Sequence, residues 1–297
     1  MKARTFGRLA ATVGAIATVA AAQIGVQLVA AAPASALPGL QVVSAISPFN
    51  SLASKSITAT CPAGKKVVGG GGRVNGGVSG GNAKVGVTEL RPFTGASDGF
   101  AVTGFESDNG FAGSWSVQAY AICANPVAGY QLVTNSNTPS SSSFQLTGVA
   151  CPSGKRVIGA GARINNPAGQ VSLQANNTDN PLSTQATAAG YEDIDGFAGN
   201  WGLTSYAICI PNPVAGFTIA SAASANNSDI SKIVNVTCPG GTKVHGISFS
   251  TGAGNGDPIL EALVPSNAVP SGAQVIVREE TGTAENWSVM VQAICAN

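Results

Sequence analysis

The chain is built from one unit written three times. The strings GLQVV at Gly39, GYQLV at Gly129 and GFTIA at Gly216 each stand 22 residues before a Cys-Pro pair, at Cys61, Cys151 and Cys238. Each copy then closes on a tryptophan eight residues before a second cysteine, as Trp115–Cys123, Trp201–Cys209 and Trp287–Cys295. The tryptophans are 86 and 86 residues apart. A fixed period of this kind marks a triplicated structural module. It divides the chain into a leader, 1–36, and copies at 37–126, 127–213 and 214–297. The joints around Asn125 and Asn212 are short and carry proline, so successive copies sit close together with little freedom.

Copies of this size bury little core alone and need a staple. Six cysteines supply it, and six can pair in 15 ways. One cysteine near the front and one near the end of every copy argue for Cys61–Cys123, Cys151–Cys209 and Cys238–Cys295. Pairing between copies is the competing arrangement. The chain-entropy model values each intra-copy bridge at about 4 kcal/mol. A structural metal is disfavoured, because no Cys or His partner sits at ligand spacing. No metal and no cofactor are expected.

Within a copy, short runs alternate apolar and polar residues between Gly, Pro, Asn and Ser clusters. In the second copy YQLVTN, SFQLTGVAC, KRVIGAGARI, QVSLQAN, TQATAAGYE and WGLTSYAIC read as strands. No stretch holds a helical period for three turns. The expected fold is all-β: three tandem small antiparallel β-sandwich or barrel-like repeats, each with one intra-repeat disulfide and its own core.

The leader carries Lys2, Arg4 and Arg8, then an Ala/Val/Ile-rich run, then Ala34-Ser35-Ala36. That is the pattern of a signal peptide cleaved before Leu37, with an uncleaved anchor as the alternative. Without the leader, 12 basic and 14 acidic residues remain, a formal charge of −2. A strongly basic nucleic-acid binder is thereby excluded. No second apolar span follows, so a secreted, extracellular protein that does not hold the membrane after cleavage is expected.

CPAGKKVVGGGG, from Cys61, has the look of a phosphate loop. A P-loop would need glycine where Ala59 stands and Ser or Thr where Lys66 stands. A dinucleotide fingerprint would need glycine at Val74. The glycines are better read as scaffold. Gly69, Gly159 and Gly246 share one column of the aligned copies; Gly71, Gly161 and Ser248 share another. Glycine inside a strand marks a bulge or a close approach, and the expected neighbour is the tryptophan ring, itself expected near the disulfide.

The combination CPxGK-x-V-x-G…W-x-[VL]-x-x-x-A-I-C resembles a repeat of exported actinobacterial proteins, across nearly the whole chain after the leader. The resemblance implies export and implies no particular activity. The third copy departs from it at Thr242 and at Ile247-Ser248-Phe249, so its glycine strand must be packed differently.

Catalytic chemistry finds little support. His245 is the one histidine, and Val68 and Ile158 hold its place in the sister copies, which makes it a strand side chain rather than a base. Acids gather before each tryptophan: Glu106 and Asp108; Glu192, Asp193 and Asp195; Glu279, Glu280 and Glu285. They read as a solvated turn. Weak calcium binding and a carboxylate pair for glycoside hydrolysis are the sharper alternatives. Tyr120 and Tyr206 point away from the tryptophan face; packing under a neighbouring strand or copy is the simpler reading, and as candidate ligand contacts they would stack on sugar rings, with Gln292 replacing them in the third copy. The expectation is a secreted, non-catalytic binding or structural protein whose partner is an extracellular polysaccharide or cell-surface component. A hydrolase using the acidic loops and an inhibitor of secreted hydrolases are the alternatives.

Overall fold

Among the described residues, eighteen long strands, six from each copy, form three six-stranded antiparallel sheets, and every sheet is half one copy and half another. The computed structural model describes residues 37–178, 184–211, 216–266 and 270–296. The leader, 1–36, and the joint around Asn212 lie outside them.

The first copy supplies β1 (Gln41–Ile46), β2 (Ser54–Thr60), β3 (Lys66–Asn75), β6 (Val85–Phe93), β7 (Gly99–Glu106) and β8 (Ser116–Ala124). A small hairpin, β4 (Val78–Ser79) and β5 (Asn82–Ala83), is inserted between β3 and β6. The second copy supplies β9 (Gln131–Ser136), β10 (Phe144–Ala150), β11 (Lys155–Asn165), β12 (Val171–Thr178), β13 (Gln185–Glu192) and β14 (Gly202–Pro211). The third supplies β15 (Thr218–Ala223), β16 (Ser231–Thr237), β17 (Lys243–Gly252), β18 (Pro258–Pro265), β19 (Gly272–Glu279) and β20 (Ser288–Ala296).

Each copy is a sandwich of two three-stranded half-sheets. In the first, β1-β8-β3 is one half and β2-β7-β6 the other. The halves continue outward into the neighbours. β6 pairs with β11, placing Leu90 opposite Ala162; β18 pairs with β3, placing Leu263 opposite Gly72. β12 pairs with β17 through Ala175 and Ser250. First joins second, second joins third and third joins first, so the pairing closes a ring. Ring closure leaves only the outer strands of each sheet as edges.

Ring closure also changes the reading of the core. Sequence reasoning gave each copy its own core, whereas the largest buried cluster draws on all three copies, from Val67 through Ile158 to Val291. The disulfides are intra-copy, joining Cys61–Cys123, Cys151–Cys209 and Cys238–Cys295 with Cα–Cα separations of 5.8, 5.7 and 5.6 Å.

The glycine run is explained by burial on both faces. Alternate residues of β3 point opposite ways. A Cβ on Gly70 or Gly72 would strike Phe100 or Val102 of the copy's own second half-sheet. On Gly69 or Gly71 it would strike the carbonyl oxygen of His245 or Leu263, in the third copy. The second copy repeats the outward pattern: Gly159 meets Val68 O and Gly161 meets Leu90 O. Gly246 meets Ile158 O and Gly159 Cα. Thus Gly69, Gly159 and Gly246 make a cyclic backbone contact at the ring axis, each beside a β-bulge at Val68, Ile158 or His245.

The tryptophan is therefore not what the glycines accommodate. Trp115 and Cys123 stand at opposite ends of β8, about 26 Å apart at strand rise. Room for the indole comes from Gly104 and Gly190, whose added Cβ would lie 3.0 Å from a ring carbon of Trp115 and Trp201. On the inward side the third copy does differ. Ile247 and Phe249 hold the places of Gly70 and Gly72, and Ala273 holds that of Phe100.

Candidate functional site

The ring axis has a disulfide end and a tryptophan end, and His245 lies at the first. Its Nε2 accepts a hydrogen bond from the Leu37 amide at 3.2 Å, and its Nδ1 donates to Lys243 O at 3.0 Å. The Phe217 ring packs edge-on at 5.2 Å. Burial holds the imidazole neutral and lowers its pKa to about 4. Both ring nitrogens are thus engaged by the backbone.

At the tryptophan end the acidic loops are not simply solvated turns. Glu106 and Glu192 are buried, and each grips its own tryptophan. Glu106 Oε1 accepts the Trp115 indole N–H at 2.8 Å while Oε2 accepts the Phe111 amide at 3.2 Å. In the second copy Glu192 accepts from Trp201 at 2.9 Å and from Phe197 at 3.2 Å. Lys55 Nζ lies 4.0 Å above the Trp115 ring and donates to Asn50 O and Leu52 O. Burial lowers its pKa, partly offset by Glu106. Each of these glutamates thus has both oxygens committed to the fold.

The next residue in each copy, Ser107, Asp193 or Glu280, comes to the axis. All three line a cavity of about 20 Å³, space for one water-sized molecule, together with Gly169 and Gly256. Asp193, Asp195 and Asp108 bring carboxylate oxygens within 4.8 Å of one another. Burial, then hydrogen bonding and charge from Asp195, push the Asp193 carboxyl up to about 8. Glu285 stays apart on the surface, accepting from Asn255 at 2.6 Å.

Tyr120 and Tyr206 are on different sheets and meet different surroundings. Tyr206 retains 9% exposure. Burial raises its phenol pKa, countered in part by Arg91 and Arg163. Tyr120 instead borders an open groove of about 460 Å³ where the first and third copies join. Arg73 lies beside it, and Asn235, Gln274 and Ser271 face it from the third copy. Gln274 donates to Asn235 at 2.9 Å, which orients both amides. Arg73 also borders a second groove of about 380 Å³ with Glu261 and Arg278. At the corresponding point of the third sheet, Gln292 binds Ser248 at 3.3 Å. The three faces are thus unlike at this position.

Sequence reasoning named Tyr120 but missed Arg73, Asn235 and Gln274. Two of these belong to another copy, and the seam that unites them is set by tertiary pairing. The alternation of β16, which leaves Asn235 and Thr237 outward and buries Val234 and Val236, was the available signal. No protein-family model matches the chain, and a search of curated proteins found no match.

Proposed function

We propose that the protein acts outside the cell as a non-catalytic binding or structural protein, and that its Tyr120 groove holds an extracellular polysaccharide or cell-surface glycan. The observation that carries this reading is the grouping of one half-exposed ring with a guanidinium, two oriented amides and hydroxyls in an open groove. An aromatic face takes the C–H side of a sugar ring, and planar amides pair with its hydroxyls. Three disulfides suit the oxidising conditions outside the cell.

The test is a pull-down of the purified protein on insoluble cell-wall, chitin and glucan preparations, with Tyr120→Ala and Gln274→Ala alongside. Both variants are expected to lose at least about tenfold in affinity, the equivalent of 1.4 kcal/mol, while unfolding like the wild type. Tyr206→Ala, altering a buried ring, serves as the contrasting variant. A panel of glycoside substrates run on the same preparations tests the hydrolase alternative. Turnover abolished by Glu192→Gln or Asp193→Asn would replace the binding reading with an enzymatic one.

A further inference from the structure

We propose that the Tyr120 groove selects an acidic glycan, one whose sugars carry carboxylate or phosphate groups, and that the Arg73 guanidinium is the group that binds the charge. This inference rests on the glycan reading of the groove and adds the chemistry of its ligand.

The three seams between copies differ at one aligned pair of residues. Where β6 meets β11, Arg163 stands opposite Glu89. Where β18 meets β3, Arg73 takes the place of Arg163, and Ala262 takes that of Glu89. Where β12 meets β17, Ser250 stands opposite Ala175, and neither charge is present. The first seam is thus balanced and the last is neutral. The seam between the third and first copies keeps the cation without its anion.

The change reaches beyond one side chain. Glu89 accepts hydrogen bonds from Arg91 Nε and, at 2.6 Å, from Thr103 Oγ1. By strand register Ala262, Val264 and Ile276 hold the places of Glu89, Arg91 and Thr103. All three replacements are apolar. The arginine and tyrosine of the second copy, Arg163 and Tyr206, are nonetheless repeated in the first as Arg73 and Tyr120.

Arg73 finds no substitute partner within the chain. Its Nε is shielded from solvent and has no hydrogen-bond acceptor, and no carboxylate pairs with it among the described residues. Glu261, the acid of the adjoining groove, is taken by Arg278 Nε at 3.0 Å. In the Tyr120 groove Arg73 is the one charged residue of the described lining. A shielded donor left unmatched costs free energy that a ligand can recover. The planar guanidinium fork matches the paired oxygens of a carboxylate or phosphate. Tyr120, Asn235 and Gln274 then face the sugar that bears this group.

The experiment titrates the purified protein, with all three copies intact, by calorimetry. The probes are cello-oligosaccharides and the same oligomers carrying either a carboxylate or a phosphate at C6. At least one charged series is expected to bind at least about tenfold tighter than the neutral one, with an advantage that shrinks as sodium chloride is raised. The tighter of the two charged series identifies the anion. Arg73→Gln is expected to abolish the advantage, and Arg163→Gln, at the balanced seam, to leave it intact. Ala262→Glu supplies the carboxylate that Glu89 offers at that seam, and is expected to silence Arg73 in the same way. Thermal unfolding of each variant checks that the ring is kept. Equal binding of neutral and charged oligomers by the wild type would overturn the charge selection and leave the glycan reading standing. A charge preference that survives Arg73→Gln would overturn the role of Arg73. Binding of none of the three series would overturn the glycan reading and this inference together.

Discussion

At the disulfide end of the axis the three copies meet through one residue type, Gly69, Gly159 and Gly246, whereas at the tryptophan end the equivalent meeting point holds Ser107, Asp193 and Glu280. The difference follows from what touches. At the first end backbone meets backbone. An added Cβ would stand 2.2 Å from Val68 O at Gly159 and 2.1 Å from Ile158 O at Gly246, so no side chain is admissible. At the second end side chains meet around a small cavity, and each copy can offer something different. A triplicated fold thus keeps its symmetry where backbone meets backbone and diverges where side chains meet.

The largest break in this comparison comes from Gly159→Val. The obstructing atom is a backbone oxygen of the neighbouring copy, which has no flexible end to move aside. Overpacking ordinarily costs about 1–3 kcal/mol, and a clash with fixed backbone belongs above that range. Because the core is continuous, the loss is expected in one cooperative transition of the whole ring, read by urea unfolding with tryptophan fluorescence. Selective unfolding of the second copy, with the other two intact, would restore the picture of independent modules. Ser107→Ala, at the opposite end, is expected to cost less, about 1 kcal/mol, for loss of the hydroxyl that meets the Glu280 carboxyl.

The next effect separates the two ends by pH. His245 falls from an ordinary 6.5 to about 4 in the folded protein. Between those values the unfolded chain binds more protons than the folded one, so stability drops as pH falls from 6.5 towards 4. The shift corresponds to about 3 kcal/mol. Asp193, raised to about 8, acts in reverse: its folded form holds the proton more tightly, and its contribution is lost as pH rises through that range. Stability measured from pH 4 to 7 for wild type and His245→Val isolates the disulfide end. Their difference should vary with pH over that window and be flat above 7. A difference independent of pH would show that the imidazole is not held neutral.

How far the sequence foretold this molecule follows from the reach of each signal. Strands and disulfides were legible because alternation and the repeated cysteine spacing act within one copy. The ring was not, since no local pattern says that β6 seeks β11 or that β18 seeks β3. A clue was nonetheless present in GGGG from Gly69 and GAGA from Gly159. Small residues at both odd and even positions mean a strand covered on both faces, and one copy provides only one cover. The acidic apex was less legible still: Asp108 and Asp193 are far apart in sequence and meet only because the ring closes. His245 lies buried inside β17, the strand position that its Val and Ile counterparts indicated.

The smallest expected effect grades the three tryptophan clamps within one end. Glu106 faces two N–H donors, from Trp115 and Phe111, and a Lys55 ammonium over the indole. Glutamine there keeps one acceptor, turns an amide N–H towards the other donor, and removes the charge near a buried lysine. Hydrogen bonds to charged groups contribute about 1.5–3 kcal/mol, and Glu106→Gln is expected within that range. Glu192 makes the same two bonds, but Gln145 occupies the place of the lysine and donates to Trp201 O instead, so Glu192→Gln should cost less. Glu279 differs in kind. Burial and then Asp257 raise its pKa, offset in part by hydrogen bonding from Thr283 and from a Trp287 indole N–H held more loosely than those of the sister copies. A carboxyl with a raised folded pKa favours the folded state when protonated and weakens it as pH rises. Glutamine imitates the protonated form, so Glu279→Gln should be neutral or stabilising at pH 7 and should lose that advantage in acid. Thermal unfolding of the three variants at both pH values gives the order Glu106, Glu192, Glu279 if each clamp carries the charge balance its neighbours impose. Equal losses at all three would show that the clamps are interchangeable and that divergence at this end stops at the axial residues.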